Sequence, residues 1–596
     1  MPSQGGVDTR VLLIRTIILT ASLASGGGGF YLFLQFGTAD GLDVMDLVRS
    51  TLIFLSTFAL AWGAFTALAG LTTHPPTRPR QEGPLKVRTA VLVPVYNEDP
   101  AATFARIAAM DLSLRETGQG AHFHFAILSD TRNEDVARQE RHWFLRLLEQ
   151  TKGEGRIFYR RRDSNKGRKA GNIEDFIKRS GAAYDYLVIL DADSLMEGET
   201  LVEMVRRMEV APDLGLLQTL PVVIRAQSRF GRAMQFAATF YSPVFARGLA
   251  MMQGKTGPFW GHNAIVRTRA FAEACGLPEL SGQAPFGGHV LSHDYVEAAL
   301  LARAGWTVRV DDDLGGSYEE APENMVDHAK RDRRWCQGNL QHTRLLFAPG
   351  MKGWSRFVFL QGIFAYVSAV FWLGFLAASI AAPLFVGPID YFPIESWPFP
   401  VLPASATTEA LGLAVGVFGL LFLPKLLILL SAGMSGRAQG YGGWLATLKS
   451  VLGELLFAAM TAPIFLMYQT RSVVQVVRGA DGGWPAQSRG DGSLTLAEAW
   501  AASHWIVWSG VAVLGAAEWL SPELVPWLLP VALPMVLSPL IISWSSQKAR
   551  SAIFSTPVAR HSAPIIQQHD LILQGWQGIA AAVSADDLQG AAVRHA

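Results

Sequence analysis

Long apolar runs bracket one long stretch of ordinary soluble composition, and this pattern constrains the fold more than any other. A spanning helix needs about 20 mostly apolar residues, because the hydrocarbon core is about 30 Å thick and each helical residue rises about 1.5 Å. Such runs lie near Val11–Phe36 and Leu47–Leu71, and again near Phe357–Val386, Ala410–Leu430, Leu445–Met467, Ala501–Ala517 and Val525–Trp544. Between them, after a Pro-rich linker at Thr72–Gly83, the chain has soluble character to about Trp354. Of 596 residues only 17% are charged, against roughly a quarter in soluble proteins. That excludes a fully soluble enzyme, a disordered scaffold and a small secreted domain. With 51 Lys+Arg against 50 Asp+Glu, charge offers no case for a nucleic-acid partner. Two cysteines, Cys275 and Cys336, make no disulfide framework and fit a reducing compartment.

Orientation follows from basic residues, which gather on the cytoplasmic side. The connections Gly37–Asp46 and Gly387–Glu409 and the turn Glu518–Glu523 carry acids and no base, and read outside. The flanks with Arg10 and Arg15, and with Arg78, Arg80, Lys86 and Arg88, read inside, as do Arg471–Arg489 and a tail with Lys548, Arg550 and Arg560. Gly26–Gly29 in the first run suit close helix contact in a membrane, and the second long run argues against a cleaved signal peptide. The five late runs satisfy this orientation if Leu445–Met467, interrupted by Lys449 and Glu454, lies at the interface. The alternative is a seventh span with a buried Glu. The expected organisation is two spanning helices (1–72), a cytoplasmic domain (73–350), two spans (351–435), an interfacial helix and cytoplasmic loop (436–499), two spans (500–546) and a cytoplasmic tail (547–596).

Within the soluble stretch, apolar segments Arg88–Val95, Phe123–Leu128, Arg156–Tyr159, Tyr186–Leu190 and Leu214–Leu220 alternate with amphipathic ones such as Asp135–Gln150 and Leu201–Val210. This βαβ rhythm predicts a mostly parallel α/β sheet with helices on both faces. Ligands of such sheets bind beyond the carboxyl ends of the strands. There the sequence places Tyr96-Asn97-Glu98, then Ser129-Asp130, then Arg161–Asn172, then Asp191-Ala192-Asp193. Two carboxylates at a strand end suit a hard divalent ion whose shell a diphosphate completes, although an exposed acidic turn has the same residues. Lys166, Arg168 and Lys169 with Gly167 and Gly171 complement a diphosphate, or form a solvated basic loop. Neither a P-loop nor a dinucleotide fingerprint occurs. Asp294, in Ser292–Glu297, opens a helix and is a candidate base or an N-cap. The run Arg331–Asn339, with Trp335, is a juxtamembrane anchor or a site that binds phosphate and stacks a sugar.

The order of these motifs resembles the membrane-integrated, processive family 2 glycosyltransferases, which include cellulose and hyaluronan synthases. It is more closely similar to the glucans biosynthesis glucosyltransferase H family, which makes the backbone of osmoregulated periplasmic glucans. Val93–Asp99, Asp163–Asn172, Leu190–Ser194, Gly261–Arg267, Ser292–Glu297 and Arg331–Asn339 carry the likeness. It implies a GT-A fold and transfer from UDP-glucose to a growing, β-1,2-linked glucan acceptor, with Mg²⁺ or Mn²⁺, at the bacterial inner membrane. Tyr96, Glu98 and Asp130 would contact uridine. Lys166, Lys169, Asp191 and Arg334 would hold the diphosphate, with Asp191 and Asp193 on the metal. Asp294 would be the general base. His262, Asn263, His293 and Trp335 would face the acceptor. Membrane lipid, periplasmic glucan-processing proteins and acyl carrier protein are the further partners implied. The chain departs from cellulose synthases at His293, where they have Glu, and at Arg331, where they have Gln; both point away from a cellulose-type product.

Three other readings compete. A lipid-carrier glycosyltransferase disagrees with Arg334-Trp335, and another polysaccharide synthase would share most of the motifs. A transporter with a regulatory nucleotide domain should show internal repeats, and the sequence has none. Glu454, Gln469 and Arg471 are candidates to line the entry of a glucan channel, or simply to pack a polar helix face.

Overall fold

A computed structural model describes residues 8–37, 42–74, 82–385, 407–480 and 492–593, with side chains to residue 578. Much of Gly37–Asp46, Thr72–Gly83, Gly387–Glu409 and Arg471–Arg489, on which parts of the orientation argument rest, lies outside these residues.

The soluble domain is built on a seven-stranded sheet. In chain order its strands and those of a smaller sheet are β1 (Thr89–Val95), β2 (Phe123–Ser129), β3 (Ile157–Arg161), β4 (Tyr186–Ile189), β5 (Leu195–Met196), β6 (Leu214–Gln218), β7 (Val222–Ile224), β8 (Ala264–Arg267), β9 (Thr307–Val310) and β10 (Ser317–Glu320). The large sheet runs β3-β2-β1-β4-β8-β6-β9, and β5-β10-β7 forms the small one. β1, β2, β3 and β4 are mutually parallel, as the sequence predicts; β8 runs antiparallel between β4 and β6. Side chains alternate across the pleat. Val91, Val93 and Val95 pack with Phe104, Ile107 and Met204 on one face, and Ala90 and Leu92 with Ile173, Phe176 and Leu301 on the other. Asp99 caps helix Pro100–Glu116 through Ala101 N–H, and Asn133 caps helix Glu134–Thr151. Each helix thus starts where its strand ends, which leaves the strand-end loops to converge at one edge.

Six helices among the described residues are long and apolar enough to cross a membrane: Thr9–Phe36, Val44–Leu71, Gly353–Leu384, Thr407–Met434, Trp444–Val477 and Leu496–Leu520. A seventh candidate is Pro522–Val536 with Ser538–Ser546, bent by 55°. The glycine run stays helical, and Gly26 and Gly29 face the second helix so closely that a Cβ would lie 3.1 Å from the Phe54 carbonyl and 3.0 Å from Thr57 Oγ1. The segment expected at the interface is thus one 34-residue helix, Trp444–Val477.

Its contacts bear on how it lies. Just before its first turn, the Tyr441 hydroxyl donates to the Thr239 carbonyl (3.0 Å) of helix Arg229–Gln253, and Ser450 Oγ accepts from Phe554 N–H (3.1 Å). Near its other end Arg333 of the soluble domain donates to Gln475 Oε1 (3.1 Å) and to the Ala480 carbonyl (2.6 Å). By contrast Leu496–Leu520 starts beside Ser546, to which Leu494 N–H donates (2.9 Å), and ends at Ser521, beside the Ile380 carbonyl (3.4 Å). Glu454 is 7% exposed, salt-bridged to Lys425 of Thr407–Met434 at 2.8 Å and bonded by the Tyr241 hydroxyl at 3.2 Å. Its carboxylate is therefore paired, and removing either partner would leave a buried charge without compensation.

The tail after Trp544, to which the sequence assigned no structure, ends in helix Pro564–Val593, whose Ile565, Ile566, Ile572 and Trp576 join the main core of the soluble domain. Trp576 stacks on Trp143, centroids 5.3 Å apart.

Candidate active site

The Asp191-Ala192-Asp193 turn follows β4, and Ser194 closes it: its hydroxyl accepts from Asp191 N–H (2.9 Å) and its own N–H donates to the Asp191 carbonyl (3.1 Å). Lys169, in the first turn of helix Arg168–Ser180, reaches across to salt-bridge Asp191 and donates to the Gly261 carbonyl at 2.7 Å. Gly261 has φ +85° and lies against Asp294, whose Cβ is 3.4 Å from where a glycine Cβ would sit. One chain of contacts therefore joins the acidic turn, the basic loop and the candidate base. The loop before Lys169 is tight: Gly167 has φ +70°, and a Cβ on Gly171 would meet the Lys166 carbonyl at 2.2 Å. That explains both glycines of the predicted diphosphate loop, whose Lys166 carbonyl also accepts from Arg162 Nη1 at 3.3 Å.

Asp130 is bound by both arms of Arg162 at 2.7 and 2.8 Å, and its N–H donates to the Val95 carbonyl. Arg132, Glu134, Arg161, Arg162 and Asp163 line an open cavity of about 300 Å³ beside it. Beneath, buried Glu140 accepts from Ser129 (2.7 Å), Thr131 (2.5 Å) and Tyr159 (2.8 Å) hydroxyls, and Thr131 Oγ1 accepts from Asn97 N–H (2.9 Å). Tyr96 and Glu98 share the loop after β1, where Tyr96 N–H donates to the Glu98 carboxylate.

Electrostatics fit a cation here. Burial pushes Asp193 up, and the neighbouring Asp191 adds to it; burial would push Asp191 up as well, but Lys169, His262 and Arg334 outweigh it and hold Asp191 low. Glu98 is pushed up to about 7, first by burial and then by the charges of Asp193 and Asp191. Crowded carboxylates of this kind are what a divalent ion relieves. Among the described residues no group of three or more His, Cys, Asp or Glu is arranged to hold a metal. An aspartate pair fits a hard divalent ion only where other ligands, such as a substrate diphosphate and water, would complete the shell.

Asp294 stands in the first turn of helix His293–Arg303 and is not its cap; Ser292 has that place. Burial pushes Asp294 up, partly opposed by His293. Burial works against protonation of His293, but Glu297, at 3.0 Å, and Asp294 outweigh it and raise its pKa. Helix Met325–Gln341 carries Arg334 and Trp335 and packs on Ser292 so tightly that a Cβ on Gly338 would lie 2.2 Å from Ser292 Oγ. Arg334 is pulled down to about 10 by burial, against the attraction of Asp191, and stays charged at neutral pH. Trp335 is 41% exposed, with the Arg331 guanidinium 4.6 Å from its ring centroid. His262 lies 3.4 Å from Glu319.

Asn263, expected at the acceptor, is fully buried, its side-chain amide donating to Ser317 Oγ (2.9 Å) and the Tyr318 carbonyl (3.3 Å). It ties the small sheet to the large one and presents no surface to a sugar. The sequence reading gave no role to Arg162, Glu140, Glu297 or Arg106. Arg162 had a signal in the polar stretch after β3, and Glu297 in its place within Ser292–Glu297; Glu140 and Arg106 are recognised only by the partners that the fold brings to them.

A sequence profile described as glycosyl transferase family 2 matches residues 90–274, and one described as glycosyl transferase family group 2 matches 186–430. A protein of Cereibacter sphaeroides named glucans biosynthesis glucosyltransferase H is 62% identical over 579 residues, 97% of each chain. One of that name from Rhodopseudomonas palustris is 43% identical over 562 residues, 91% of this chain and 77% of its own. Among solved structures, a Pyrobaculum calidifontis mannosyltransferase in complex with GDP-Man and Mn²⁺ aligns at TM-score 0.43 and 15% identity, covering 65% of this chain and 96% of its own. The strand order and the family 2 profile make the soluble domain a GT-A glycosyltransferase domain. The chain belongs to the glucans biosynthesis glucosyltransferase H family, and is a hexosyltransferase.

Proposed function

We propose that this protein transfers glucose from UDP-glucose, with inversion, to a growing β-1,2-linked glucan of the osmoregulated periplasmic type, and passes the product across the inner membrane. The observation that carries the chemistry is the Lys169 bridge from Asp191 to Gly261, which sets Asp294 beside the acidic turn. Uridine lies along Tyr96, Glu98 and Asp130, with Arg162 fixing Asp130. Lys166, Lys169 and Arg334 face the diphosphate. Asp191 and Asp193 hold a divalent ion, which when bound supplies charge stabilisation to the leaving diphosphate. The acceptor hydroxyl oxygen attacks the anomeric carbon, the bond to the diphosphate oxygen breaks, and Asp294 takes the hydroxyl proton. General-base help of this kind is worth about 10²–10⁴ in rate. Arg334 keeps its positive charge toward the developing diphosphate. Trp335, its ring partly exposed, and His262 and His293 face the acceptor.

The membrane organisation is proposed as six crossings, with Trp444–Val477 lying along the cytoplasmic face. Two contacts support it: both ends of that helix touch the soluble-domain side, at Thr239 and at Arg333. The docked tail helix agrees, since it requires an even number of crossings between Gly353 and Ser546.

The test is purified protein in lipid with Mg²⁺ and a panel of UDP-sugars, recording UDP release and product linkage, with Asp294→Asn as control. Release from UDP-glucose alone with a 1,2-linked product is expected, and Asp294→Asn should keep UDP binding while transfer falls about 10²-fold or more. A 1,4-linked or amino-sugar product overturns the glucan assignment. A lipid-linked monosaccharide as the sole product favours carrier glycosylation.

A further inference from the structure

The tail helix Pro564–Val593 reaches the acidic turn through an unbroken set of polar contacts. Arg106, on helix Pro100–Glu116, donates from Nη1 to the Ala192 carbonyl (3.2 Å), between the two aspartates, and from Nη2 to Glu320 Oε1 (2.8 Å). The same Glu320 oxygen accepts from Arg225 Nη1 (2.9 Å). Arg225 Nη2 then meets Asp570 Oδ1 (2.7 Å) and His569 Nδ1 (2.6 Å), both on the tail helix. His569 Nε2 lies 3.3 Å from the Ala102 carbonyl. A neutral His569 protonated at Nε2 donates to Ala102 and accepts from Arg225 at Nδ1, which also lies 3.0 Å from Asp570 Oδ1, so that Arg225 stands between ring and carboxylate as the donor to both.

Two features make this more than surface decoration. Arg225 leaves β7 with φ +61°, a backbone state that a non-glycine side chain holds only when its surroundings enforce it. Arg106 is buried, and buried charged groups kept without their partners are costly. Further along, the helix is anchored separately, by Trp576 stacked on Trp143 and donating to Gln150 Oε1 (2.5 Å).

We propose that the tail helix is a positioning element of the active site, holding the Asp191–Asp193 turn in its productive geometry through Asp570, Arg225, Glu320 and Arg106. The proposal rests on the assignment of that turn to the donor diphosphate. It gives the tail a role in donor binding with no residue of its own touching the donor.

Full-length protein in lipid carries the test, as Asp570→Ala, Asp570→Asn, Arg225→Gln, Trp576→Ala and, for reference, Asp193→Ala. Donor KM and kcat come from UDP release, and hydrogen–deuterium exchange is followed in the peptide covering 187–197. Asp570→Ala, Arg225→Gln and Trp576→Ala are expected to raise donor KM about fivefold with kcat within about twofold, and to speed exchange in that peptide. Asp570→Asn keeps the Oδ1 acceptor and should return KM to within about twofold of the parent. Native KM and native exchange in Asp570→Ala and Trp576→Ala overturn the proposal; these two decide it if Arg225→Gln does not fold. If Asp193→Ala keeps the parent KM and rate, the donor assignment fails instead, while the exchange data still report whether the helix holds the turn.

Discussion

At Asp294 the pull of burial against the charge of His293 decides when a proton can be taken. The carboxyl is raised above its ordinary range by burial, with His293 opposing. Only the carboxylate can accept the acceptor's proton, so transfer is lost as pH falls through a value above the usual aspartate pKa of about 3.9. The expected kcat/KM profile has its acid limb there; a limb at or below the ordinary value means that another group is the base. The place of Asp294 in the first turn of a helix was legible from sequence, because the residues after it carry a local helical pattern. Asn263 was not: its position beside His262 suggested the acceptor, whereas its amide is spent on Ser317 and Tyr318, and those partners lie more than fifty residues away. Arg162 sat inside a polar stretch that could be read as solvated, until its fork on Asp130 is seen.

At the scale of elements, helix Met325–Gln341 joins the chemistry to the membrane. Gly338 admits Ser292 on one side, and Gly362 of Gly353–Ala381 admits Asn339 on the other, with a Cβ 2.2 Å from the blocking atom in each case. Gly338→Ala must therefore push the helix off Ser292 and move Arg334 relative to Asp294. Misplacement by about an ångström costs about 10²-fold in well-oriented reactions. Activity is expected to fall by about 10-fold or more with membrane insertion unchanged, measured as UDP release per detergent-extracted protein. Helix Trp444–Val477 offers a test of topology. Lys449 on it and Glu518 at the end of Leu496–Leu520 are both exposed, whereas Cys275 and Cys336 are buried. A Cys at 449 should react with an impermeant maleimide from the soluble-domain side only, and a Cys at 518 from the opposite side only. Labelling of both from one side would overturn the six-crossing arrangement. The parallel strands and apolar runs were readable because their periodicity is local. The antiparallel β8, the short β5, β7 and β10 and the docked tail depend on tertiary pairing, which no window of sequence contains.

For the whole molecule, the question is where a hydroxyl-rich polymer goes once made. Trp335, partly exposed, stands on helix Met325–Gln341, which packs against Gly353–Ala381. One turn before it Asp332 accepts from the Tyr366 hydroxyl at 3.1 Å and is also bonded by Gln469, so polar groups continue between Gly353–Leu384 and Trp444–Val477. Buried polar side chains beside a membrane span are costly unless they are partnered or face a wet path. On the proposed function, a glucan extended beside Trp335 would have Asp332 next to it on the same helix, with the polar groups that Asp332 bonds. The prediction is that inside-out vesicles given UDP-glucose outside accumulate glucan in the lumen, where an added glucanase cannot reach it. Tyr366→Phe with Gln469→Leu should shorten the product and lower the protected fraction about threefold or more, while initial UDP release stays within about twofold because neither residue touches the donor acids. Glucan fully degraded by external enzyme would separate synthesis from passage, and would leave the Asp332 cluster as packing between two helices.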